Sequence, residues 1–370
     1  MVQFNDNVMT IALKGEPAKS CDIRFGEGLF PEISEDVKKL YNGRRYAIIT
    51  DSNVRLLYGE MLKEEIGRDA EVFSFEAGEK SKNIYTCDDI IGDMTKSKYG
   101  RDTLILALGG GVVGDMAGFI AAIFNRGVPY IQIPTTLLAQ ADSSVGGKTA
   151  VDTKHGKNLI GAFKQPEKVY IDISTIKTLS DRDYKNGLAE TIKHGIIQDD
   201  KYFEYLKNNL SDILNRDPES LLTIAKRNCE IKGNVVEKDP NEKGLRRILN
   251  YGHTIGHAIE KLSNYELSHG EAVSIGMMVA GRISNKLEYF SDSELKRQEE
   301  LIKNAGLPVA IPRKIHDEDI IEATTVDKKA KGGRVRYVLL ISNGTVNEFG
   351  GAYATYVNND VVIDALQRTR

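Results

Sequence analysis

Histidine and carboxylate side chains suited to metal chemistry concentrate in one part of this sequence. Four of the 6 histidines fall between residues 194 and 269. His253 and His257 are four residues apart, so a helix would place them on one face, and His269 lies just before another helical pattern. Glu190 belongs to a helical segment whose other face is apolar. One carboxylate and two imidazoles would leave open positions on a zinc-like ion, as in catalytic metal sites.

Histidines of this kind also have a structural interpretation, because they can cap helices or form hydrogen bonds in a core. We expect that structural role for His155, His194 and His316. A metalloprotease motif would require Glu directly after the first histidine of the pair. Thr254 occupies that position after His253, so the sequence argues against peptidase chemistry.

A glycine-rich loop follows one strand-like run directly. Residues 103–108 lead into residues 109–115, and a helical pattern comes next. Gly109, Gly111 and Gly114 satisfy G-x-G-x-x-G in the strand–turn–helix context that gives the motif its meaning. Such glycines allow the backbone to approach a pyrophosphate at a helix N-terminus. The alternative is a tight turn that packs a helix on a sheet.

This loop is not placed as in a standard dinucleotide-binding fold. It follows the third or fourth predicted strand, and no acidic residue stands clearly about 20 positions later. Nucleotide binding is still the expectation. Asp51, at the end of a strand, could hold a ribose or the nicotinamide side of a nucleotide. By itself, Asp51 is more typical of a cap for a helix from Asn53 onward.

Cationic and amide side chains accompany glycines at several further places. Such pairs suit phosphate or carboxylate recognition, because backbone N–H groups can assist the side chains. The alternative is a solvated surface side chain, which is the ordinary role of lysine and the default for Lys232. The candidates are Arg126, Lys148, Lys157, Asn158, Lys193, Lys232, Arg246 and Asn250.

The first half of the chain alternates short β-rich runs with amphipathic helical stretches. The runs are rich in Val, Ile, Tyr and Phe and are flanked by Gly, Asp or Pro, as strands are. This alternation predicts a parallel sheet covered by helices, and hence an α/β domain over residues 1–178. The predicted strands are 45–50, 71–75, 103–108, 130–134 and 169–173, with helices at 53–66 and 85–98.

The second half, residues 179–370, is predicted to be a mainly α-helical domain. Asn343–Gly344 between two β-rich runs indicates a small hairpin near residues 334–349. Ligand sites favour the cleft between domains of this kind. The predicted helices are 184–197, 218–236, 254–262, 271–286 and 293–305.

The composition excludes several classes of protein. Of the 370 residues, 41% are hydrophobic and 28% are charged, which is typical of globular proteins. The apolar runs are too short to span a bilayer, and no secretory signal is visible at the start. The 3 cysteines are far apart, which fits a reducing cytoplasm. A net charge of −3 gives no reason to expect nucleic acid or membrane as a partner.

Several long motifs closely resemble those of the 3-dehydroquinate synthase family. They run in the family's order from about residue 50 to 340, so the resemblance covers most of the chain. The matching segments are 109–115 (GGGVVGD), 134–149 (PTTLLAQADSSVGGKT), 156–161 (GKNLIG), 187–195 (GLAETIKHG), 249–257 (LNYGHTIGH), 269–271 (HGE) and 327–329 (DKK).

The resemblance implies a nucleotide-binding α/β domain followed by an α-helical metal domain, usually as a homodimer. It implies that Glu190, His253 and His269 bind one divalent metal ion, zinc or cobalt, and that His257 lies on the substrate side. It also implies an NAD site. The residues expected to contact NAD are Asp51, Asn53, Glu79, Lys82, Gly110, Gly111, Asp115, Thr135 and Thr136, and we add Lys157 from the loop between Gly156 and Asn158.

The resemblance also assigns residues to a sugar-phosphate substrate. Arg126 is similar to the arginine that the family lends across the dimer. Either Lys328 or Lys329 would complete the phosphate pocket. At Lys154–His155 the chain departs from the family's usual Pro-Leu, which leaves the course of that loop open. The substrate residues implied are Asp142, Lys148, Asn158, Lys193, Lys232, Arg246, Asn250 and His257.

The implied reaction converts 3-deoxy-D-arabino-heptulosonate 7-phosphate to 3-dehydroquinate and phosphate, in the shikimate pathway of aromatic amino acid biosynthesis. It proceeds by transient NAD-dependent oxidation, phosphate elimination, re-reduction and intramolecular aldol closure. The alternatives are a cyclase acting on sedoheptulose 7-phosphate or glucose 6-phosphate, and a metal-dependent polyol dehydrogenase. Lys232 and Arg246 could clamp a substrate carboxylate, which those sugar phosphates lack.

Overall fold

The computed structural model describes residues 3–5, 7–13, 19–326 and 335–370. Lys328 and Lys329, predicted to contribute to the phosphate pocket, lie outside the described residues. The chain divides into two compact units. The first comprises Met1–Leu179 with Leu221–Glu237, and the second comprises Ser180–Ser220 with Lys238–Arg370.

An eight-stranded sheet forms the centre of the first unit. Its strand order is β1-β2-β3-β10-β7-β6-β4-β5. The first three strands pair antiparallel, and the others pair parallel. The strands are β1 (Gln3–Asn5), β2 (Val8–Leu13), β3 (Lys19–Gly26), β4 (Arg45–Asp51), β5 (Ala70–Phe75), β6 (Thr103–Gly109), β7 (Tyr130–Pro134) and β10 (Lys168–Asp172), and a separate antiparallel hairpin consists of β8 (Lys148–Thr153) and β9 (Gly156–Phe163).

Helices cover both faces of this sheet. They are α1 (Phe30–Leu40), α2 (Ser52–Val54), α3 (Glu60–Ile66), α4 (Ile84–Lys96) and α5 (Gly111–Ile123). A π-helical turn, Arg55–Gly59, joins α2 to α3. One apolar core lies under α4 and α5 and the other under α1 and α3. The strand β6 is buried along its whole length because it is covered on both faces.

The second unit is mainly helical. Its core joins α10, α11, α13 and α14. The long helix α9 contains Leu221–Glu237, which groups with the first unit even though the sequence suggested the helical domain. The helices are α6 (Asp181–Gln198), α7 (Asp200–Asn208), α8 (Leu210–Leu214), α9 (Pro218–Lys238), α10 (His253–Leu262), α11 (His269–Lys286), α12 (Asp292–Asn304), α13 (Asp317–Val326) and α14 (Asn359–Gln367).

Two short strand pairs complete the second unit. β12 (Leu340–Ser342) and β13 (Thr345–Val346) flank the Asn343–Gly344 turn. β11 (Arg336–Tyr337) pairs instead with β14 (Thr355–Tyr356), a strand not predicted from the sequence. The α/β first part and the mainly helical second part confirm the predicted fold class. Every helix among the described residues is too short or too polar to span a bilayer.

Candidate metal centre and nucleotide loop

Glu190, His253 and His269 meet in the second unit, although three different helices carry them. Glu190 lies in the middle of α6, and the two histidines are the first residues of α10 and α11. Glu190 Oε1 is 3.4 Å from His253 Nε2 and 3.5 Å from His269 Nε2. The structure therefore brings the predicted metal ligands together.

These separations suit an ion better than direct hydrogen bonds. Glu190 Oε1 is buried and accepts no hydrogen bond, and 3.4–3.5 Å is longer than the usual N–H···O distance. Ligands that bind Zn²⁺ tetrahedrally at about 2.0–2.1 Å lie roughly 3.3–3.4 Å from each other. Each imidazole nitrogen is thus spaced from the carboxylate oxygen as two ligands of one small cation are, and all three atoms lie within 4.8 Å of one another.

A second contact orients each imidazole. His253 Nδ1 lies 3.1 Å from the backbone oxygen of Tyr251. His269 Nδ1 lies 3.4 Å from Glu260 Oε2. Each acceptor favours the tautomer with the proton on Nδ1, which leaves the Nε2 lone pair directed at Glu190 and available to a metal. Tyr251 and Glu260 were not predicted from the sequence as supporting residues.

Lys193 keeps Glu190 ionised in a buried environment. Both side chains are 1% exposed, and Lys193 Nζ contacts Glu190 Oε2 and donates to the Leu249 carbonyl at 2.9 Å. Burial alone would raise the pKa of Glu190, but Lys193 and the two imidazoles hold that pKa well below its ordinary value. The second oxygen, Oε1, is therefore negatively charged at neutral pH and can act as a metal ligand.

The environments of the two histidines differ. Burial and the charge of Lys193 lower the pKa of His253 well below its ordinary value, so this imidazole is neutral. Burial would also lower the pKa of His269, but interactions with the Glu190 and Glu260 carboxylates raise it to about 9, so a metal ion binding at Nε2 would displace a proton from that nitrogen. His269 thus lies between two carboxylates, whereas a neutral carbonyl supports His253.

Glycines allow the three helices to approach closely enough for this arrangement. A Cβ atom on Gly276 would overlap the carbonyl oxygen of Gly252, and one on Gly256 would lie 3.0 Å from the Val273 Cα. Gly252 also has a φ of 78°, in the left-handed region. The backbones of α10 and α11 therefore touch at these glycines, which fixes His253 beside His269.

Glycine also brings α11 against α6. A Cβ atom on Gly270 would overlap the carbonyl oxygen of Asn186. The Gly270 N–H donates to Asn186 Oδ1 at 2.5 Å. The N-terminus of α11 is further fixed by a capping box between Ser268 and Glu271. This contact places His269 next to Glu190.

Among the other predicted residues of the second unit, His257 lies beside the ligand cluster, whereas Arg246 and Asn250 belong to the short 3-10 helix Leu245–Asn250. The ring of His257 lies 5.2 Å from that of His253 and 5.8 Å from that of His269. Arg246 is buried and donates to the Pro240 carbonyl at 2.9 Å. Asn250 Nδ2 donates to Glu242 Oε1 at 2.7 Å. His257 also forms a possible ligand group with Glu260 and His269, so its place beside the cluster does not by itself distinguish a ligand from a substrate contact.

The glycine loop in the first unit ends at the N-terminus of α5. This helix begins at Gly111, and its N-cap, Gly110, has no side chain to occupy the first N–H groups. A Cβ atom on Gly110 would lie 3.0 Å from the Thr136 methyl group. Thr135 is buried, and its hydroxyl has no hydrogen-bond partner. Helix amides that no side chain caps, beside a buried and unsatisfied hydroxyl, fit a polar ligand such as a pyrophosphate.

Three of the predicted residues join beside this loop. Lys82 is almost completely buried; its Nζ lies 2.6 Å from Asp115 Oδ2 and donates to Asn158 Oδ1 at 2.7 Å. Burial raises the pKa of Asp115, although the charge of Lys82 acts in the opposite direction. Asn158 has a φ of 55°, and its backbone N–H donates to Asp152 Oδ1 at 2.7 Å. This network links the start of α5 to the β8–β9 hairpin.

Asp51 has the capping role that the sequence favoured for it. Its Oδ1 accepts from the backbone N–H groups of Asn53 and Val54, both at 2.9 Å. Glu79 Oε1 lies 3.4 Å from Lys157 Nζ in an ion pair. These contacts are compatible with a nearby nucleotide but do not require one.

Lys232 does not have the solvated role that was its default in the sequence. It is 5% exposed, and its Nζ lies 2.8 Å from Asp142 Oδ1 and also contacts the Asp142 carbonyl. Both residues belong to the first unit. By contrast, Lys148 and Arg126 are exposed, and Arg126 has a φ of 70°.

Family models match most of this chain. The model for the 3-dehydroquinate synthase N-terminal domain matches residues 72–186, and the model for the C-terminal domain matches residues 187–330. A 3-dehydroquinate synthase from Thermoanaerobacter sp. (strain X514) is 46% identical over 342 residues, which cover 91% of this chain and 95% of that protein.

Two solved structures share the fold over nearly the whole chain. A 2-deoxy-scyllo-inosose synthase, complexed with carbaglucose-6-phosphate, NAD⁺ and Co²⁺, superposes with a TM-score of 0.90 at 26% identity, covering 98% of this chain and 100% of that chain. A 2-epi-5-epi-valiolone synthase from Streptomyces hygroscopicus subsp. jinggangensis 5008, with NAD⁺ and Zn²⁺ bound, gives 0.84 at 26% identity, with coverages of 97% and 98%. The fold, the ligand cluster and the identity to curated relatives agree, and the chain belongs to the 3-dehydroquinate synthase family.

Proposed function

We propose that this enzyme is a phosphorus–oxygen lyase that converts 3-deoxy-D-arabino-heptulosonate 7-phosphate to 3-dehydroquinate and phosphate. The observation that carries the proposal is the buried Glu190 carboxylate, whose Oε1 lies 3.4 and 3.5 Å from two imidazole nitrogens. The choice among cyclases rests on the relatives: the 3-dehydroquinate synthase is 46% identical, whereas the two solved cyclases of other names are 26% identical.

In this proposal, Glu190, His253 and His269 hold one Zn²⁺ or Co²⁺. Gly110, Gly111 and the buried Thr135 hydroxyl form part of the NAD site, together with the other residues assigned by resemblance. When bound, the metal supplies Lewis acidity at a substrate hydroxyl, and NAD supplies a reversible hydride acceptor. Both solved cyclases contain NAD⁺ together with one of these two metals.

The chain's own charges account for substrate binding. Lys232 and Arg246 are buried cations suited to the substrate carboxylate, and Lys148, Asn158 and Lys193 are suited to phosphate and hydroxyl oxygens. Asp142 holds the Lys232 ammonium at 2.8 Å and so fixes its position before substrate arrives. Because such side chains are already fixed, less conformational entropy is lost when a flexible sugar phosphate binds in a reactive conformation.

Lys193 and His257 have distinct proposed roles. Lys193 keeps Glu190 as a carboxylate and donates to the Leu249 carbonyl, and its third N–H is proposed to bind a substrate oxygen. His257 contacts both ligand imidazoles through its ring and is proposed to hold a substrate hydroxyl through a ring nitrogen. Asn250, at the end of the short 3-10 helix Leu245–Asn250, would add an amide contact.

The proposal includes a homodimer in the cytoplasm. The strand β9 is exposed along most of its length, with Ile160 41% and Phe163 69% exposed, and α5, which packs on this hairpin, ends at the exposed Ile123. Arg126 follows directly after this helix and would reach the partner's site.

The three cysteines are buried and form no disulfide, which suits a reducing compartment such as the cytoplasm.

A substrate panel tests this function. The metal-loaded enzyme with NAD⁺ is incubated separately with 3-deoxy-D-arabino-heptulosonate 7-phosphate, sedoheptulose 7-phosphate and glucose 6-phosphate, and phosphate release is measured. We expect release from the first compound alone. Activity on only one of the other sugar phosphates would replace the proposal with a different cyclase, and stoichiometric NADH without phosphate would indicate a polyol dehydrogenase.

A further inference from the structure

Glu260 is a buried carboxylate beside the ligand cluster that the proposed mechanism does not use. It lies on α10, on the same helical face as His253 and His257, and is 7% exposed. Its Oε2 lies 3.4 Å from His269 Nδ1, on the opposite side of that ring from Glu190. A buried carboxylate is costly unless it has a charged or hydrogen-bonding partner. The ring of His269 provides that partner.

We infer that Glu260 is a positioning residue of the metal site. It fixes the orientation and tautomer of His269 and makes the Nε2 of His269 a stronger electron-pair donor to the metal than the Nε2 of His253. This inference rests on the metal site proposed above. A ligand imidazole held by a carboxylate carries more negative charge on its metal-binding nitrogen than one held by a neutral carbonyl. His253 has only the Tyr251 carbonyl, at 3.1 Å.

Glu260 is better placed to support His269 than to bind the ion itself. Glu260, His257 and His269 also form a possible ligand group, with donor atoms within 4.8 Å of one another. In that group, however, His269 is shared with the Glu190–His253 cluster. The nitrogen near Glu260 is Nδ1, whereas Nε2 faces Glu190. In the metal-bound site, His269 would therefore hold the ion through Nε2 and donate its Nδ1 proton to Glu260.

Metal affinity of the Glu260 variants tests this role without relying on activity. We would measure the dissociation constants for Zn²⁺ and Co²⁺ by chelator competition, together with the visible absorption of the Co²⁺ form, for wild type, Glu260→Gln and Glu260→Ala. Glutamine retains an acceptor but loses the charge. We expect affinity to fall in the order wild type, Gln, Ala, by about 10–100-fold in total, with one ion per chain at saturation and a Co²⁺ spectrum of unchanged coordination number.

A matched control separates positioning from loss of stability. Glu294 is a partly buried carboxylate of the second unit; it accepts hydrogen bonds from Asn343 and belongs to no ligand group of the described residues. Glu294→Gln should leave metal affinity unchanged. An equal fall in both Gln variants would overturn the inference, as would unchanged affinity in Glu260→Ala. If Glu260→Ala lost stoichiometric binding or changed the coordination number, Glu260 would be a ligand instead.

The same titration distinguishes failure of the inference from failure of the proposed function. If wild type binds neither metal, the proposed metal site is wrong. If wild type binds tightly and both Glu260 variants bind equally tightly, only the positioning role is wrong. Circular dichroism of each metal-free variant would identify one that does not fold. If Glu260→Ala does not fold, the metal affinity of Glu260→Gln, whose side chain has nearly the same shape as glutamate, decides the question.

Discussion

At the scale of single residues, the metal assignment depends most on Glu190. One oxygen of this buried carboxylate is held by Lys193, and the other has no hydrogen-bond partner, which leaves a buried acceptor that a donor or a cation would satisfy. Two imidazole nitrogens face that oxygen but lie farther away than hydrogen bonds usually are. A small cation would satisfy the carboxylate and both imidazoles together.

Removing any one of the three ligands should therefore abolish tight metal binding. We expect Glu190→Gln, His253→Ala and His269→Ala each to weaken Zn²⁺ binding by more than about 100-fold, because the loss of even an outer partner costs about 10–100-fold. Metal content after dialysis and phosphate release would both be measured. His316→Ala, which alters an exposed histidine, is the control. Full metal content in the three ligand variants would refute the assignment.

Helical spacing predicted part of this site but not its supporting contacts. The separation of His253 and His257 indicated a shared face, and their rings are 5.2 Å apart. Glu190 and Lys193 stand three residues apart, so their pairing could have been predicted from the helix as well. The burial of Lys232 could not, because Asp142, 90 residues away in sequence, provides its partner.

At the scale of elements, the glycines between α10 and α11 determine the separation of the two histidines. Gly276→Ala would place a methyl group against the Gly252 carbonyl, which cannot rotate away as a side chain could. We expect a loss of about 1–3 kcal/mol in unfolding free energy and weaker Zn²⁺ binding, because the helices must move apart. Thermal unfolding and metal titration would measure the two effects.

Gly92→Ala is the matched control for that substitution. Gly92 lies within α4, and an added Cβ meets nothing within 4 Å. Alanine should stabilise that helix by up to about 1 kcal/mol and leave metal affinity unchanged. If Gly276→Ala behaved like Gly92→Ala, close packing of the two helices would not be what positions the histidines.

A carboxylate links α1 to the sheet and predicts a pH-dependent stability. Asp36 Oδ2 accepts from Lys168 Nζ at 2.8 Å and from the Tyr170 hydroxyl at 2.6 Å. Burial alone would raise the pKa of Asp36, but these two partners lower it. Because the folded-state pKa lies below the unfolded value, the stabilisation is present above the unfolded pKa and is lost as pH falls through the folded one.

Asp36→Asn tests that linkage. At pH 7 we expect the variant to be less stable than wild type by about 1 kcal/mol, since the Asp36 side chain is still 30% exposed. The difference should shrink as pH is lowered below the ordinary aspartate pKa of about 3.9. Denaturant unfolding across that range would measure it. A stability difference that did not depend on pH would contradict the account.

The sequence predicted the central elements more reliably than the peripheral ones. The strand predicted at 103–108 is Thr103–Gly109, because a buried central strand is marked by a continuous apolar run. The antiparallel strands β2 and β3 were missed, although Met9, Ile11, Cys21, Ile23 and Phe25 are buried at every second position. The β8–β9 hairpin was treated as a loop because it is rich in glycine and polar residues, and β9 is largely exposed.

At the scale of the whole molecule, the proposed dimer makes each site dependent on two chains. If Arg126 acts on the partner's site, an Arg126→Ala chain with an intact metal site should be rescued by a His253→Ala chain that retains its arginine. Random mixing of the two inactive variants would then restore activity at about a quarter of the sites. Phosphate release after subunit exchange would measure this. No recovery, with exchange shown by mass spectrometry, would place Arg126 in its own chain's site or outside any site.

The most direct test of the proposed reaction is the balance between phosphate and reduced nicotinamide. The metal-loaded protein would receive 3-deoxy-D-arabino-heptulosonate 7-phosphate and an amount of NAD⁺ much smaller than that of the substrate. We predict that phosphate and 3-dehydroquinate form in equal amounts until the substrate is consumed, with no accumulation of NADH. NADH formation in proportion to substrate consumed, or a reaction that stops when the NAD⁺ is exhausted, would contradict the proposed function.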